Sequence, residues 1–126
     1  MRLKGTMTEQ AYRAELQRNH DYIFNTEVGT LLRTCIEQVV GRFITAYILY
    51  WIPDDGTDFF TLLVDGKIII CMEIEYEQYS SVKEKGSPKL VDYSSCTTND
   101  YIKGLSKTHR IKFEVAREMC HKDMNQ

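Results

Sequence analysis

Apolar and polar residues alternate most regularly between Lys67 and Glu77, which is the pattern of a β-strand with one buried face. One face of this predicted strand is apolar, so we expect it to point into the core. The other face becomes acidic towards its end and should meet water. The expected core residues are Ile68, Ile70, Met72, Ile74 and Tyr76, and the opposite face carries Lys67, Ile69, Cys71, Glu73, Glu75 and Glu77.

Two further runs, Phe43–Ile52 and Phe59–Val64, are rich in β-branched and aromatic residues and predict strands as well. Turn signals separate the three runs, at residues 53–56 (Pro-Asp-Asp-Gly) and at Asp65-Gly66. An Asp-Gly pair favours a tight primed hairpin turn, because both positions must tolerate positive φ. We therefore predict an antiparallel meander of three strands, with residues 90–93 as a short fourth strand after a polar loop.

Helical spacing of apolar residues appears on both sides of the strands. We predict a first, peripheral helix from Thr8 to about His20 and a second from Thr26 to Val40, ended by Gly41. Asn25 or Thr26 would cap the second helix. Residues 21–25 are interpreted as a connection. A short helix is expected from about residue 98, and a last helix, capped by Thr108, is expected to reach about Lys122 before a frayed tail. This order predicts an α+β fold, an antiparallel meander of three to four strands packed with N-terminal and C-terminal helices, in a single domain spanning 1–126.

Composition narrows the class of protein. The formal net charge of −2 gives no reason to expect direct contact with nucleic acid or an anionic membrane. No apolar run reaches the length of a transmembrane helix, and the first ten residues lack the apolar segment of a secretory signal. The four cysteines form no C-x-x-C pair, and we expect them to be reduced, with Cys35 and Cys71 buried as small hydrophobes. Four cysteines also allow several disulfide pairings, so this alternative stays open. The sequence thus predicts a cytoplasmic protein.

Signatures of common enzyme classes are missing from the chain. It has no glycine-rich phosphate loop, no G-x-S-x-G and no H-E-x-x-H, and its three histidines stand at the ends of predicted helices. We therefore expect neither a cofactor nor an enzymatic activity.

Charge is distributed unevenly along the chain. Residues 53–78 carry seven acidic side chains against Lys67, whereas residues 79–126 are net basic. Three interpretations of the acidic segment remain open. It can be a solvated face with charged edge protection. It can be a surface that attracts a basic partner. It can also bind a divalent metal through Asp65, Glu73 and Glu75 in a small nuclease or hydrolase, although no E-x-K pattern follows.

The docking interpretation assigns partner binding to eight residues, six acids that supply charge and two tyrosines that supply anchors. These residues are Asp54, Asp55, Asp58, Glu73, Glu75, Tyr76, Glu77 and Tyr79. The oligomeric state stays open, because the strand Phe43–Ile52 is apolar on both sides and would also suit an interface between subunits.

The chain resembles the small immunity proteins of bacterial contact-dependent growth inhibition and other polymorphic toxin systems. The resemblance lies in the segment YILYWIP at 47–53, the acidic turn after it, TLLVDG at 61–66 and the closing helices between Thr98 and Lys122. It implies a non-enzymatic inhibitor that binds one cognate toxin domain, often a nuclease, and blocks its active site or substrate groove. The family has no universal binding motif that could be transferred to this chain residue by residue.

Overall fold

The computed structural model describes residues 7–76 and 88–126, and these ranges contain four helices and one antiparallel sheet of four strands. The strands follow one another across the sheet in chain order, so each pairs with its sequence neighbour. The predicted α+β class is confirmed. The elements are α1 (Met7–Asn25), α2 (Glu27–Val40), β1 (Ala46–Asp54), β2 (Thr57–Val64), β3 (Ile68–Tyr76), β4 (Pro88–Thr97), α3 (Thr98–Lys103) and α4 (Lys107–Met124).

Both Asp-Gly pairs form the predicted turns. Asp55 and Gly56 have φ angles of 34° and 86°, and Asp65 and Gly66 have φ angles of 53° and 70°. Two successive residues with positive φ match the right-handed twist of the strands that they join. The first loop is shorter than the predicted four residues, because Pro53 and Asp54 already belong to β1.

Each face of the sheet packs against helices. The face that carries Ile70 and Ile74 packs against α2, and the predicted alternation of β3 is confirmed. We call this the α2 face. The other face packs against α4 and part of α1, and we call it the α4 face. Helix α1 contacts β1, α2 and α4, with Leu16 in one core cluster and Ile23 in the other. Its predicted peripheral place was therefore wrong.

A bulge in β1 reverses the predicted alternation of that strand. The pairing with β2 shifts between Ile48 and Tyr50, so Leu49 is an extra residue. As a result, Trp51 lies on the α2 face, where its ring contacts Tyr22 and Phe60. The sequence of Phe43–Ile52 predicts an unbroken alternation with Leu49 and Trp51 on the same side, and this prediction was wrong.

Helix α1 is longer than predicted and continues through residues 21–25, because Ile23 is buried in the core. Thr26 alone separates it from α2 and caps α2 by accepting the amide hydrogen of Gly29. A Cβ at Gly29 would lie 2.2 Å from the carbonyl oxygens of Tyr22 and Ile23, so this sharp corner requires glycine. Gly41, with φ of 78°, ends α2 as predicted.

The C-terminal third differs most from the prediction. Strand β4 has ten residues rather than four, and Ser106, not Thr108, caps α4. Asp123 is helical and bonds to β1, so the tail is not frayed there.

Cys35 and Cys120 are buried, but Cys71 is exposed, contrary to prediction. The polar loop predicted before β4 spans residues 80–89. Residues 88 and 89 belong to β4, and residues 80–87 lie outside the described part of the chain.

Candidate functional site

Within the described ranges, helices cover only one end of the α4 face. At this end, Tyr47, Leu49, Leu63 and Ile69 are buried beneath side chains of α1 and α4. We call it the covered end. The helix side chains that cover this end include Leu16, Phe113, Ala116 and Cys120.

The other end of the same face has exposed or half-buried side chains throughout, and we call it the open end. It contains the first hairpin turn and two rows of residues that the strand register places side by side. One row is Ile52, Phe59, Glu73 and Asp92; the other is Asp54, Thr57, Glu75 and Lys89, and Asp55 lies in the turn.

Two large apolar side chains form the centre of the open end. Ile52 is 59% exposed and Phe59 is 39% exposed, and the two are direct cross-strand partners. A shallow depression of about 330 Å³ adjoins Phe59, and residues of β2, β3 and β4 line it, including Cys71 and Ser94. Exposed apolar side chains that lie together inside a polar rim are typical of protein interaction sites.

Carboxylates lie on two sides of this apolar pair. Glu73 and Asp92 continue its row across β3 and β4, and Asp54, Asp55 and Glu75 lie beyond it towards the turn. The two rows and the turn carry five acidic side chains against one cation, Lys89, and all five acids are exposed except the half-buried Glu73. Glu73 stands directly opposite Asp92, and like charges at such positions destabilise a sheet. Glu75 stands opposite Lys89, where the charges attract. The five acids are Asp54, Asp55, Glu73, Glu75 and Asp92.

Asp58 and Tyr76 are not part of this surface. Both lie on the α2 face, where Asp58 is 3% exposed and Tyr76 is 7% exposed. The Tyr76 hydroxyl donates a hydrogen bond of 3.0 Å to the Asp58 carboxylate. Burial first, and then the neighbouring Asp58, raise the pKa of Tyr76 far above its ordinary value. Both side chains therefore lie in the interior and not at the surface, where the predicted charge and anchor would meet a partner.

Of the eight residues predicted to bind a partner, the structure brings four together at the open end: Asp54, Asp55, Glu73 and Glu75. Glu77 and Tyr79 lie outside the described residues. Sequence reasoning missed Ile52, Phe59, Lys89 and Asp92. Phe59 could have been found from its alternation with Phe60 and Leu62, which are core residues of the same strand.

The carboxylates of the metal interpretation do not converge. Asp65 lies at the opposite end of β3 from Glu73, roughly 17 Å away along the strand. Its carboxylate accepts the amide hydrogens of Ile44 and Thr45, both at 2.9 Å, and so fixes the entry into β1. Within residues 7–76 and 88–126, no group of three or more His, Cys, Asp or Glu side chains is placed to hold a metal ion.

Comparison of the chain with protein-family models, with curated proteins and with solved structures finds no match. Among the helices of the described ranges, none combines the length and apolar character that crossing a membrane requires. Function must therefore be argued from the open end itself.

Proposed function

We propose that this protein is a non-enzymatic inhibitor that binds a basic partner protein through the open end of its sheet. The observation that carries the proposal is the exposed pair of Ile52 and Phe59 beside five carboxylates of the same open end. An apolar centre can supply binding energy once water is excluded, and the charged rim can speed encounter with a basic surface.

The two edges of the sheet favour a partner that docks on the face rather than one that adds a strand. Strand β1 has a bulge at Leu49 and a proline at position 53 on its edge. Strand β4 has a register shift near Val91, and the Asp92 carboxylate accepts the amide hydrogen of Tyr93. Bulges, prolines and occupied amides oppose strand pairing. A folded domain with its own basic surface is therefore the partner that suits this molecule.

The finer proposal is an immunity protein that neutralises a bacterial toxin domain, a nuclease in particular, in the cytoplasm. A nuclease presents a basic groove to the phosphates of its substrate, and an acidic surface with an apolar centre can occupy that groove. The resemblance of this chain to toxin-immunity proteins supports the same class.

The test begins with capture of the partner from the native host by tagged protein, followed by expression of the captured partner's domain alone. The proposal predicts that this domain arrests growth and that co-expression of the wild-type protein restores it. A variant with Glu73→Lys and Glu75→Lys should not restore growth. In this variant the new lysine at position 73 faces Asp92 and the one at position 75 faces Lys89, so the two cross-strand effects on stability oppose one another.

The matched control is Glu27→Lys with Glu37→Lys. Both positions are exposed on α2, which packs on the other face of the sheet, and the net charge changes equally. This control should protect as the wild type does. A partner that is harmless when expressed alone would contradict inhibition. Protection by the Glu73/Glu75 variant would contradict the assignment of the open end.

A further inference from the structure

A polar junction joins three elements at the covered end, far along β1 from the open end. His20 of α1 lies between the rings of Phe24 and Tyr47, with ring centroids 4.4 and 4.7 Å away. Its Nε2 lies 3.1 Å from the Thr45 hydroxyl oxygen, and that hydroxyl donates to the Asp123 carboxylate of α4 at 2.8 Å. The Tyr47 hydroxyl donates to the same carboxylate oxygen at 2.5 Å.

The hydrogen bonds fix where the proton of His20 resides. A threonine hydroxyl has one hydrogen, and here it is donated to Asp123. The Thr45 oxygen can therefore only accept from His20, so Nε2 carries a hydrogen. Whether the ring is neutral or charged then depends on Nδ1. The other ring nitrogen, Nδ1, is buried and has no hydrogen-bond partner among the residues that the structure describes.

We propose that His20 makes the attachment of α1 and α4 to β1 sensitive to acid, because its protonation adds a charged N–H donor at a buried position that has no acceptor among the described residues. Acid would thus loosen the junction through Nδ1, while the Nε2–Thr45–Asp123 chain maintains it at neutral pH. This inference concerns the stability of the covered end and does not rest on the proposed function.

Among residues 7–76 and 88–126, three titratable groups face the imidazole. Asp21 belongs to its own helix, Tyr47 to β1 and Asp123 to α4, with the Asp123 carboxylate 3.7 Å from Nε2. Burial lowers the pKa of His20, and the negative charges of Asp123 and Asp21 offset this effect only in part. The folded protein therefore binds fewer protons at this site than the unfolded chain. The associated stability is complete above the ordinary histidine pKa of 6.5 and decreases as the pH falls below it.

The experiment measures the ratio of folded to unfolded protein by urea denaturation at pH 7.5 and pH 5.5, for the wild type and for His20→Gln. Glutamine keeps an N–H donor for Thr45 but does not titrate. A single histidine that stays neutral in the folded state would lower the ratio by up to about tenfold across this interval. We expect His20→Gln to abolish this decrease in the ratio of folded to unfolded protein. The control is His121→Gln, at an exposed position of α4, and it should show the same decrease in this ratio as the wild type.

A second measurement keeps the inference testable if His20→Gln does not fold. Nitrogen-15 NMR of the wild type reports both the tautomer and the titration of His20. Hydrogen on Nε2 and a titration midpoint below that of the unfolded chain would support the inference. Hydrogen on Nδ1, a midpoint above that of the unfolded chain, or an undiminished loss in His20→Gln would overturn it.

Discussion

The two ends of the α4 face belong to the same strands, and yet they differ in burial and in charge. At the covered end, β2 and β3 contribute Leu63 and Ile69, which are completely buried. At the open end the same two strands contribute Phe59 and Glu73, which solvent reaches. Near the open end, the Tyr50 ring of β1 contacts His109, which lies close to the start of α4. One sheet face therefore contributes both core residues and an exposed surface, because α1 and α4 cover only part of it within the described residues.

The largest predicted difference is in the free energy of unfolding when a phenylalanine is replaced by alanine at each end. Phe113→Ala should lower the free energy of unfolding by about 3–5 kcal/mol, because Phe113 is fully buried and its loss leaves a cavity. Phe59→Ala should lower it by no more than about 1 kcal/mol, since much of that ring already contacts water. Urea denaturation of both variants measures the difference. Equal losses would show that the open end is part of the core.

A second pair of variants separates the buried carboxylate of Asp58 from the acids of the open end. Tyr76→Phe removes a donor to a buried carboxylate and should lower the free energy of unfolding by about 1–3 kcal/mol. Tyr93→Phe is the control, because Tyr93 is exposed on β4, and its effect should be close to zero. Thermal denaturation of both variants tests this pair. An unchanged stability of Tyr76→Phe would mean that Asp58 does not depend on this hydrogen bond.

The smallest predicted effect has opposite signs at neighbouring positions. Glu73→Gln should raise the free energy of unfolding by about 0.2–1 kcal/mol, because it relieves repulsion from Asp92. Glu75→Gln should lower it by a similar amount, because it removes attraction to Lys89. Both effects should shrink in about 1 M salt, which screens exposed charges. Denaturation at two salt concentrations checks the signs, and equal signs would contradict the register-based account.

If Glu73→Gln stabilises the free protein and also weakens partner binding, then Glu73 is retained for function at a loss of stability. Surfaces that bind partners often carry charges that are unfavourable until the partner is bound. Unchanged partner binding by Glu73→Gln would remove Glu73 from the docking surface.

Local signals in the sequence predicted much of the fold. The strand alternation of β3, both Asp-Gly turns, the α2 cap at Thr26 and the stop at Gly41 each depend on neighbouring residues, and each was found. The bulge at Leu49 was not found, because it is set by the pairing of β1 with β2 rather than by β1 alone. Strand β4 was underestimated because an exposed edge strand has little need of apolar residues.

The candidate site could be predicted only in part for the same reason. Acidic residues are visible in any sequence, and Glu73 and Glu75 were correctly placed on one strand face. Whether a face is covered depends on how far α4 extends over the sheet, and no local sequence pattern encodes this extent. Asp58 shows the consequence, because it looks like the neighbouring acids in sequence but is buried beside Tyr76.

The most direct test of the central claim is the dissociation constant of the captured partner, measured by calorimetry for the wild type, for Glu73→Lys/Glu75→Lys and for Glu27→Lys/Glu37→Lys. The account predicts that the first variant binds at least about 100-fold more weakly, a loss of roughly 2.7 kcal/mol. The second should remain within a few-fold of the wild type. Equal affinity of all three proteins would contradict docking at the open end.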